Sequence, residues 1–341
     1  MKKKNILTGI LATMFAISPT LADNGDKKPT FTNPIIPQSV PDPTVIKAAD
    51  GYFYLYGTED TRNMPIYRSK NLTDWTFIGT AFTNETRPHT VRPYVPAGMM
   101  WAPDINYING QYVLYYTIGL WGKEWDSGIG VATAPKPEGP FTDHGKLIDS
   151  RKIGVQNSID QFYIEDGGKK YLVWGSFRGI YIIQLTDDGL NIMPGAKKQQ
   201  ICGNQSEGSY ILKRKGYYYY FGSVGTCCEG EKSTYHLMYG RSKSLFGPYL
   251  TKNGERILDG KYDTLIKGND FVAGPGHNAE IMEDDKKQTW IIYHGYLRKE
   301  PEKRRMVFMS QVKWKDGWPY IDGGVPAKEA PAPYFKKSKK K

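Results

Sequence analysis

The chain has 341 residues, of which 39% are hydrophobic and 13% aromatic, so it is long enough to bury a sizeable core. The formal net charge is +11, but three lysines at positions 2–4 and five in the last six residues account for eight of these charges. Charge runs at the termini are usually solvated tails, and the remaining +3 gives no reason to expect a nucleic-acid-binding protein.

The first 22 residues are typical of a signal peptide. Lysines precede an apolar stretch at 6–17, and small residues at 20–22 form a cleavage site. The apolar stretch is too short and too broken to span a bilayer, so we expect no membrane insertion and export to the periplasm or the outside of the cell. Residues 23–33 are mostly polar and predict a flexible leader, and residues 331–341 predict a Lys-rich tail.

Between these ends, a short aromatic strand is predicted five times, with starts 59, 59, 47 and 72 residues apart. A polar or acidic residue precedes each strand and opens an extended segment. The aromatic strands are residues 51–57, 110–116, 169–175, 216–222 and 288–294, and the opening residues are Asp42, Asp104, Asp160, Glu207 and His277.

Repeats of this size cannot bury their faces alone and must stack on their neighbours. Radial stacking of small antiparallel sheets gives a β-propeller, and no long stretch has a helical period. We therefore predict an all-β, five-bladed propeller over residues 34–330. If the same strand of every blade lines the central channel, the five opening residues converge on one axis.

Acids open four of the five predicted blades, and this pattern is suited to glycosidic bond cleavage. That reaction commonly uses one protonated and one ionised carboxyl group, and a third acid nearby helps to keep the first protonated. Each acid also has a structural interpretation. Asp42 lies between two prolines and could form a turn, and Asp104 could accept a hydrogen bond from the local backbone.

Several segments together resemble glycoside hydrolase family 43, the five-bladed propeller enzymes that act on arabinan and xylan, and most closely its arabinanases. The resemblance covers about residues 41–294. Its segments are residues 40–45 (VPDPTV), 100–105 (MWAPDI), 157–160 (NSID), 171–177 (YLVWGSF), 227–230 (CCEG) with 233–235 and 240–242, and 274–278 (GPGHN).

The resemblance implies a role for three of the acids. Asp42 corresponds to the general base that activates water, and Glu207 to the general acid that protonates the leaving oxygen. Asp160 corresponds to the residue that raises the pKa of Glu207 and orients it. The family inverts anomeric configuration, so we predict a separation of roughly 6.5–9.5 Å between the carboxyl groups of Asp42 and Glu207.

The same matches imply substrate contacts by Trp101, Asp104, Asn157 and Ser158. For Trp101 core packing is an alternative, and for Asp104 the alternative is a role in orienting neighbouring groups. His277 resembles the family's axial histidine, near which a calcium ion can sit in the channel. Neutral imidazole suits transition metals better than calcium, so a water-mediated role or core hydrogen bonding remains open. The chemistry itself requires no cofactor.

Two departures from the family pattern lie beside the acids. Gln161 stands where the family usually has proline, and Gly208 and Ser209 stand where arabinanases tend to have alanine and proline. They bear on substrate preference more than on reaction type.

The segment from Cys227 to Arg241 favours cleavage of α-1,5-linked L-arabinofuranosyl bonds in arabinan. The alternatives are a β-xylosidase or α-L-arabinofuranosidase that acts on xylan or side chains, and a non-catalytic carbohydrate-binding propeller.

The three cysteines do not make a disulfide framework. A link from Cys202 to Cys227 or Cys228 and three free thiols both remain open.

The expected partner is a plant cell-wall polysaccharide or oligosaccharide, and we expect a monomer that binds no nucleic acid.

Overall fold

The computed structural model describes residues 29–91 and 100–336, and the predicted signal peptide lies outside them. The described chain is nearly all β. After β1 (Thr30–Thr32), blade 1 contains β2 (Thr44–Lys47), β3 (Phe53–Tyr56), β4 (Pro65–Ser69) and β5 (Thr76–Thr80). Blade 2 contains β6 (Met100–Ile108), β7 (Gln111–Ile118), β8 (Gly128–Ala134) and β9 (Thr142–Asp149), and blade 3 contains β10 (Phe162–Asp166), β11 (Lys169–Trp174), β12 (Ile180–Gln184) and β13 (Gln199–Cys202).

Blade 4 contains β14 (Glu207–Arg214), β15 (Tyr217–Val224), β16 (His236–Ser242) and β17 (Asp263–Ile266). Blade 5 contains β18 (Val272–Asn278), β19 (Met282–Glu283), β20 (Thr289–Leu297), β21 (Arg305–Lys315) and β22 (Trp318–Tyr320), and β23 (Glu329–Pro331) follows. The helical elements are one short helix, α1 (Ser150–Ile153), and 3₁₀ turns at His89–Val91, Glu124–Asp126, Gly230–Lys232, Ile257–Asp259, Pro301–Lys303 and Asp322–Gly324.

Each blade is an antiparallel sheet in which successive strands are neighbours, apart from β19, which pairs only with β20 in blade 5. The five-bladed propeller is therefore confirmed. The predicted aromatic strands are the second strands of the blades, β3, β7, β11, β15 and β20.

Aromatic residues recur in the second strands because these strands are buried on both faces. Every residue of β3 is buried, as is nearly all of β7, β15 and β20. The apolar clusters lie between neighbouring blades and together cover all five interfaces. Large aromatic side chains fill these spaces with much area per residue. The stacked blades consequently hold the innermost strands β2, β6, β10, β14 and β18 around the axis.

The ends of the described chain close the ring between blades 5 and 1. Strand β1 pairs with β23, and the Asn33 side chain bonds the backbone of Met309 on β21. The expected flexible leader at 23–33 is therefore wrong for Thr30–Thr32. The Lys-rich tail expected from residue 331 also begins later than predicted. Phe335 still packs on blade 1, with its ring centroid 5.3 Å from that of Phe53. Residues 23–28 and 337–341 lie outside the described ranges.

Over the described ranges, no helix has the length and apolar character needed to cross a membrane.

Candidate active site

In each blade, one residue within the innermost strand or just before it has a positive φ, and we call these five residues the ring positions. They are Asp42 (54°), Ala102 (40°), Asp160 (57°), Gly208 (61°) and His277 (46°). Residues other than glycine rarely adopt this conformation, and it persists where the surrounding structure holds it. In blades 2, 4 and 5 the ring position coincides with a register shift in the strand pairing. Such bulges interrupt the strand pairing and bend the strand locally.

The ring positions correct the prediction for Asp104. Its place in the Pro-Asp pair suggested that it corresponds to Asp42, but the equivalent residue in blade 2 is Ala102. Asp104 lies two residues further along β6 and is therefore deeper in the channel. Among the residues that the structure describes, blade 2 contributes no carboxylate at the level of the other acids.

A side chain at the end of each second strand holds the opening segment of the next blade. The hydroxyls of Thr58, Thr117 and Ser223 accept the backbone N–H of the next ring position at 2.8–3.1 Å. Blade 5 has His294 at this place, and its Nδ1 accepts the N–H of Asp42 at 3.0 Å. Ser176 in blade 3 instead donates its hydroxyl to Glu207, at 2.6 Å.

Asp42 is buried and has polar and charged groups on every side of its carboxyl group. Thr58 donates to Oδ2 at 2.6 Å, Arg305 Nη1 lies 3.1 Å from Oδ1, and the Nδ1 atoms of His277 and His294 lie 3.3 and 3.2 Å from Oδ1. Burial alone raises the pKa of Asp42, but the charge of Arg305 outweighs it, with smaller contributions from His277 and His294 in their protonated forms, and the pKa lies well below its usual value. Asp42 is therefore ionised and suited to accept a proton.

Glu207 is fixed by hydrogen bonds to both carboxyl oxygens. Tyr235 donates its hydroxyl to Oε1 at 2.7 Å, and Ser176 donates to Oε2 at 2.6 Å. Asp160 approaches the same strand, because its Oδ2 accepts the N–H of Gly208 at 3.2 Å. The two carboxyl groups thus share a small buried region beside the ring positions.

The pKa values of Asp160 and Glu207 are raised, whereas the pKa of Asp42 is lowered. Burial and the charges of Glu207 and Asp42 raise the pKa of Asp160 well above its usual value. Burial also raises the pKa of Glu207, the charge of Asp42 adds to the effect, and the bonds from Ser176 and Tyr235 oppose it. The pair retains a proton where an exposed carboxyl has lost it.

The two histidines beside Asp42 are neutral at ordinary pH. Burial lowers the pKa of His277, and it lowers the pKa of His294 to about 4. Arg305 is therefore the permanent cation next to Asp42. Because Nδ1 of His294 accepts a hydrogen bond, its proton is on Nε2, which has no hydrogen-bond partner among the described residues.

The predicted contacts Asn157 and Ser158 support the site from behind. The Asn157 amide donates to Ser176 Oγ at 2.9 Å and thereby orients the hydroxyl that binds Glu207. Ser158 is fully buried, and its hydroxyl donates to Val155 O and accepts from Trp174 Nε1. Its buried hydroxyl stabilises the turn before Asp160, so the predicted substrate contact is wrong for Ser158.

Asp104 forms a second buried carboxyl pair, with Glu280. Asp104 accepts the Tyr163 N–H at 2.7 Å, and Glu280 accepts from Thr44 Oγ1 and Val45 N at 2.8 and 2.6 Å. Burial and the neighbouring charge of Glu280 raise the pKa of Asp104 well above its usual value. The pair bridges blades 1, 2, 3 and 5. Asp104 therefore orients its neighbours, which the sequence left as the alternative to a substrate contact.

Trp101 is partly exposed at the bulge of β6. Its ring lies 5.8 Å from that of Trp121, which is 77% exposed in the loop after β7. Since β7 ends at the end of the channel where Thr117 accepts the N–H of Asp160, the two indoles lie at the rim of the site. Their exposed faces suit a sugar ring, and Trp121 was not recognised in the sequence.

The acids and His277 do not form a cage for calcium. Across residues 29–91 and 100–336, no group of three or more His, Cys, Asp or Glu side chains is arranged to hold a metal ion. The oxygens of Asp42 are already engaged by Thr58 and Arg305, and a guanidinium beside them repels a cation. The predicted calcium site at His277 does not fit these residues.

The cysteine arrangement differs from both alternatives. Cys227 and Cys228 are bonded to each other, and Cys202 is a buried free thiol. The disulfide lies in the loop that leads to Tyr235, whose N–H donates to Thr226 O at 3.2 Å. This loop thereby positions the hydroxyl that holds Glu207.

Several residues of the site were missed in the sequence: Arg305, His294, Tyr235, Ser176, Thr58 and Glu280. A signal existed for the hydroxyls, because Thr or Ser directly follows the glycine of three aromatic strands, at Thr58, Ser176 and Ser223. No comparable signal marked Arg305 on β21, outside the repeated pattern.

Comparisons with known proteins agree with this geometry. The sequence profile described as "Glycosyl hydrolases family 43" matches residues 31–319. The extracellular endo-α-(1→5)-L-arabinanase 1 of Bacillus subtilis is 32% identical over 289 residues, which cover 82% of this chain and 86% of the relative. The extracellular exo-α-(1→5)-L-arabinofuranosidase ArbA of Cellvibrio japonicus is 32% identical over 309 residues, 83% of this chain and 86% of the relative.

A solved structure has the same architecture. The α-L-arabinanase of Cellvibrio cellulosa in complex with arabinohexaose matches with a TM-score of 0.76 and 30% identity, over 84% of this chain and 96% of that one.

Proposed function

The chain belongs to glycosyl hydrolases family 43 and is a glycoside hydrolase, and we propose that it cleaves α-1,5-linked L-arabinofuranosyl bonds in arabinan with inversion. The substrate follows from relatives named as arabinanases and from the arabinohexaose bound to the similar structure. The reaction type rests on carboxyl groups held in different protonation states.

Asp42 acts as the general base. Arg305 keeps its carboxylate ionised, so it accepts a proton from a water molecule as that water attacks the anomeric carbon. Thr58 fixes Oδ2 by its hydrogen bond. Inversion requires room for the water, and we predict roughly 6.5–9.5 Å between the carboxyl groups of Asp42 and Glu207.

Glu207 acts as the general acid. Its raised pKa keeps a proton available for the leaving oxygen, and Tyr235 and Ser176 hold the carboxyl plane in place. Asp160 shares a buried region with Glu207, the charge of Glu207 raises the pKa of Asp160 so that the pair retains a proton, and Asp160 also binds the adjacent Gly208 backbone. No step of this mechanism uses a metal ion.

The observation that carries the proposal is the opposite shift of two pKa values in one buried site. The lowered pKa of Asp42 favours its ionised form, and the raised pKa of Glu207 favours its protonated form. Acid–base glycoside hydrolysis requires a pair of carboxyl groups whose pKa values differ in this way.

The test is product analysis with linear α-1,5-arabinan and with xylan. We expect the wild type to release short arabino-oligosaccharides or arabinose, and proton NMR at early times to detect the inverted anomer. Glu207→Gln should release about 10²–10⁴-fold less product in the same time. Release from xylan alone would overturn the substrate assignment, and retention of configuration would overturn the mechanism.

We also propose that the protein is exported and works as a monomer. Two relatives are named extracellular. The signal peptide at residues 1–22 is outside the described chain, and N-terminal sequencing of the secreted protein tests it. Sedimentation of the purified protein tests the monomer.

A further inference from the structure

A second concave site lies between the outer parts of blades 4 and 5. Its volume is about 430 Å³, and its lining comes from β15, β16, the loop at 243–254 and Trp318 of β22. Tyr217 at this site begins β15, whereas Ser223 near the other end of that strand binds His277. At about 3.3 Å per residue the two ends are roughly 20 Å apart, so a ligand here does not compete for the catalytic carboxyls.

The lining is positively charged. It contains Arg241, Lys243 and Lys252, and no carboxylate side chain belongs to it. Asp263 contacts the lining through the backbone, because its Oδ2 accepts the backbone N–H of Lys252 at 2.7 Å. Glu255 in the same loop faces Lys261, at 4.0 Å. The cavity therefore favours an anion.

Arg241 is held in place before any ligand arrives. Its guanidinium lies 4.2 Å from the ring centroid of Tyr217 and 3.8 Å from that of Trp318. Its Nη1 also donates to Gly317 O at 3.1 Å, and Lys243 Nζ lies 3.5 Å from the Tyr217 ring centroid. The guanidinium group is planar, and its contacts with the two rings fix its orientation. This arrangement suits two parallel hydrogen bonds to a carboxylate. Little conformational entropy remains to be lost on binding.

We propose that this cavity binds a uronate residue of an acidic polysaccharide. Arg241 recognises the carboxylate, Lys243 and Lys252 add attraction, and the Ser242, Ser244 and Thr251 hydroxyls of the lining suit sugar hydroxyls. The choice of a sugar over other carboxylates rests on the proposed function. An enzyme anchored in this way at its far rim remains on an acidic polymer while the catalytic end works on a neutral branch.

The experiment measures binding of the full chain to α-1,4-linked trigalacturonate by calorimetry. The matched neutral probe is the methyl ester of the same trisaccharide. We expect binding of the acid and none of the ester. Lys243→Glu/Lys252→Glu should weaken binding about tenfold or more, while Lys136→Glu/Lys197→Glu, with the same change in net charge at two other exposed lysines, should not. Arg241→Lys, at unchanged charge, should also weaken it.

Two results would overturn the proposal: absence of trigalacturonate binding by the wild type, and equal loss in both double variants. Competition by inorganic phosphate as strong as that by trigalacturonate would reduce the cavity to an unspecific anion site and would overturn it too. Hydrolysis of arabinohexaose, measured separately, should stay unchanged in the Lys243→Glu/Lys252→Glu variant. That arm distinguishes failure of the second site from failure of the proposed function, and thermal unfolding checks the fold of every variant.

Discussion

The channel contains carboxyl groups in two environments at different depths. At the ring positions, Asp42 is buried next to Arg305 and two histidines, and its pKa is lowered. Deeper in the channel, Asp104 is buried next to Glu280 without a cation in contact among the described residues, and its pKa is raised. Burial opposes ionisation in both places. The difference teaches that the neighbouring charge, and not burial, decides which carboxyl is available as a base.

The largest effect is expected for Glu207→Gln, which removes the acid but keeps the shape. Because a positioned general acid contributes about 10²–10⁴-fold, kcat on arabinan should fall within that range. A dinitrophenyl arabinofuranoside needs no protonation of its leaving group, so its hydrolysis should be much less affected. Equal losses on both substrates would contradict the role of Glu207.

Asp42→Asn should lower kcat by about 10²–10⁴-fold as well, but on both substrates alike, since water must be activated in each case. Comparison of arabinan with the dinitrophenyl arabinofuranoside thus separates base from acid. Recovery on the activated substrate would show that Asp42 is not the base.

Asp160→Asn should change the pH profile. In the wild type the charge of Glu207 raises the pKa of Asp160, so the two coupled carboxyl groups retain a proton; in the variant Glu207 titrates without this partner, loses its proton at a lower pH, and the alkaline limb moves down. We expect a loss of kcat of about 10-fold near neutral pH, measured as kcat against pH. An alkaline limb that does not move would rule out this role.

Arg305→Gln should act on the other limb. Without the guanidinium, burial raises the pKa of Asp42, and activity should disappear on the acidic side at a higher pH than in the wild type. A shift of about one pKa unit corresponds to about 1.4 kcal/mol between the two protonation states. Thermal unfolding serves as the control, because the variant also removes a buried side chain.

The smallest effect is expected for Asp104→Asn. The raised pKa values of Asp104 and Glu280 mean that this pair favours folding below the unfolded pKa and that this contribution is lost as pH rises through the folded pKa. The amide removes that loss, so the melting temperature at alkaline pH should rise by about 2 °C. Activity should stay near that of the wild type, and a collapse of kcat would place Asp104 in the catalytic machinery.

The repeated strands and the acids were accessible from the sequence because each depends on local patterns. The aromatic strands have a composition that marks doubly buried sheet, and Asp42, Asp160 and Glu207 precede them at similar distances. The error at Asp104 arose because a Pro-Asp pair looks alike whether or not its aspartate has a positive φ. Backbone conformation of this kind is set by contacts with the next blade.

Arg305 could not be predicted from the sequence for another reason. Its bond to Asp42 joins residues 263 positions apart, and neither strand carries a motif that points to the other. Ser158 shows the opposite limit, since a residue within a recognised segment proved to be buried support.

The closure between blades 5 and 1 has a consequence for the newly made chain. Asp42 leaves the ribosome long before His294 and Arg305, which lie 252 and 263 residues later and supply its hydrogen-bond acceptor and its cation. Until the last blade docks, Asp42 lacks the charge that sets its ionisation. Completion of the ring and assembly of the proposed base are thus one event, and we expect an incomplete chain to be inactive.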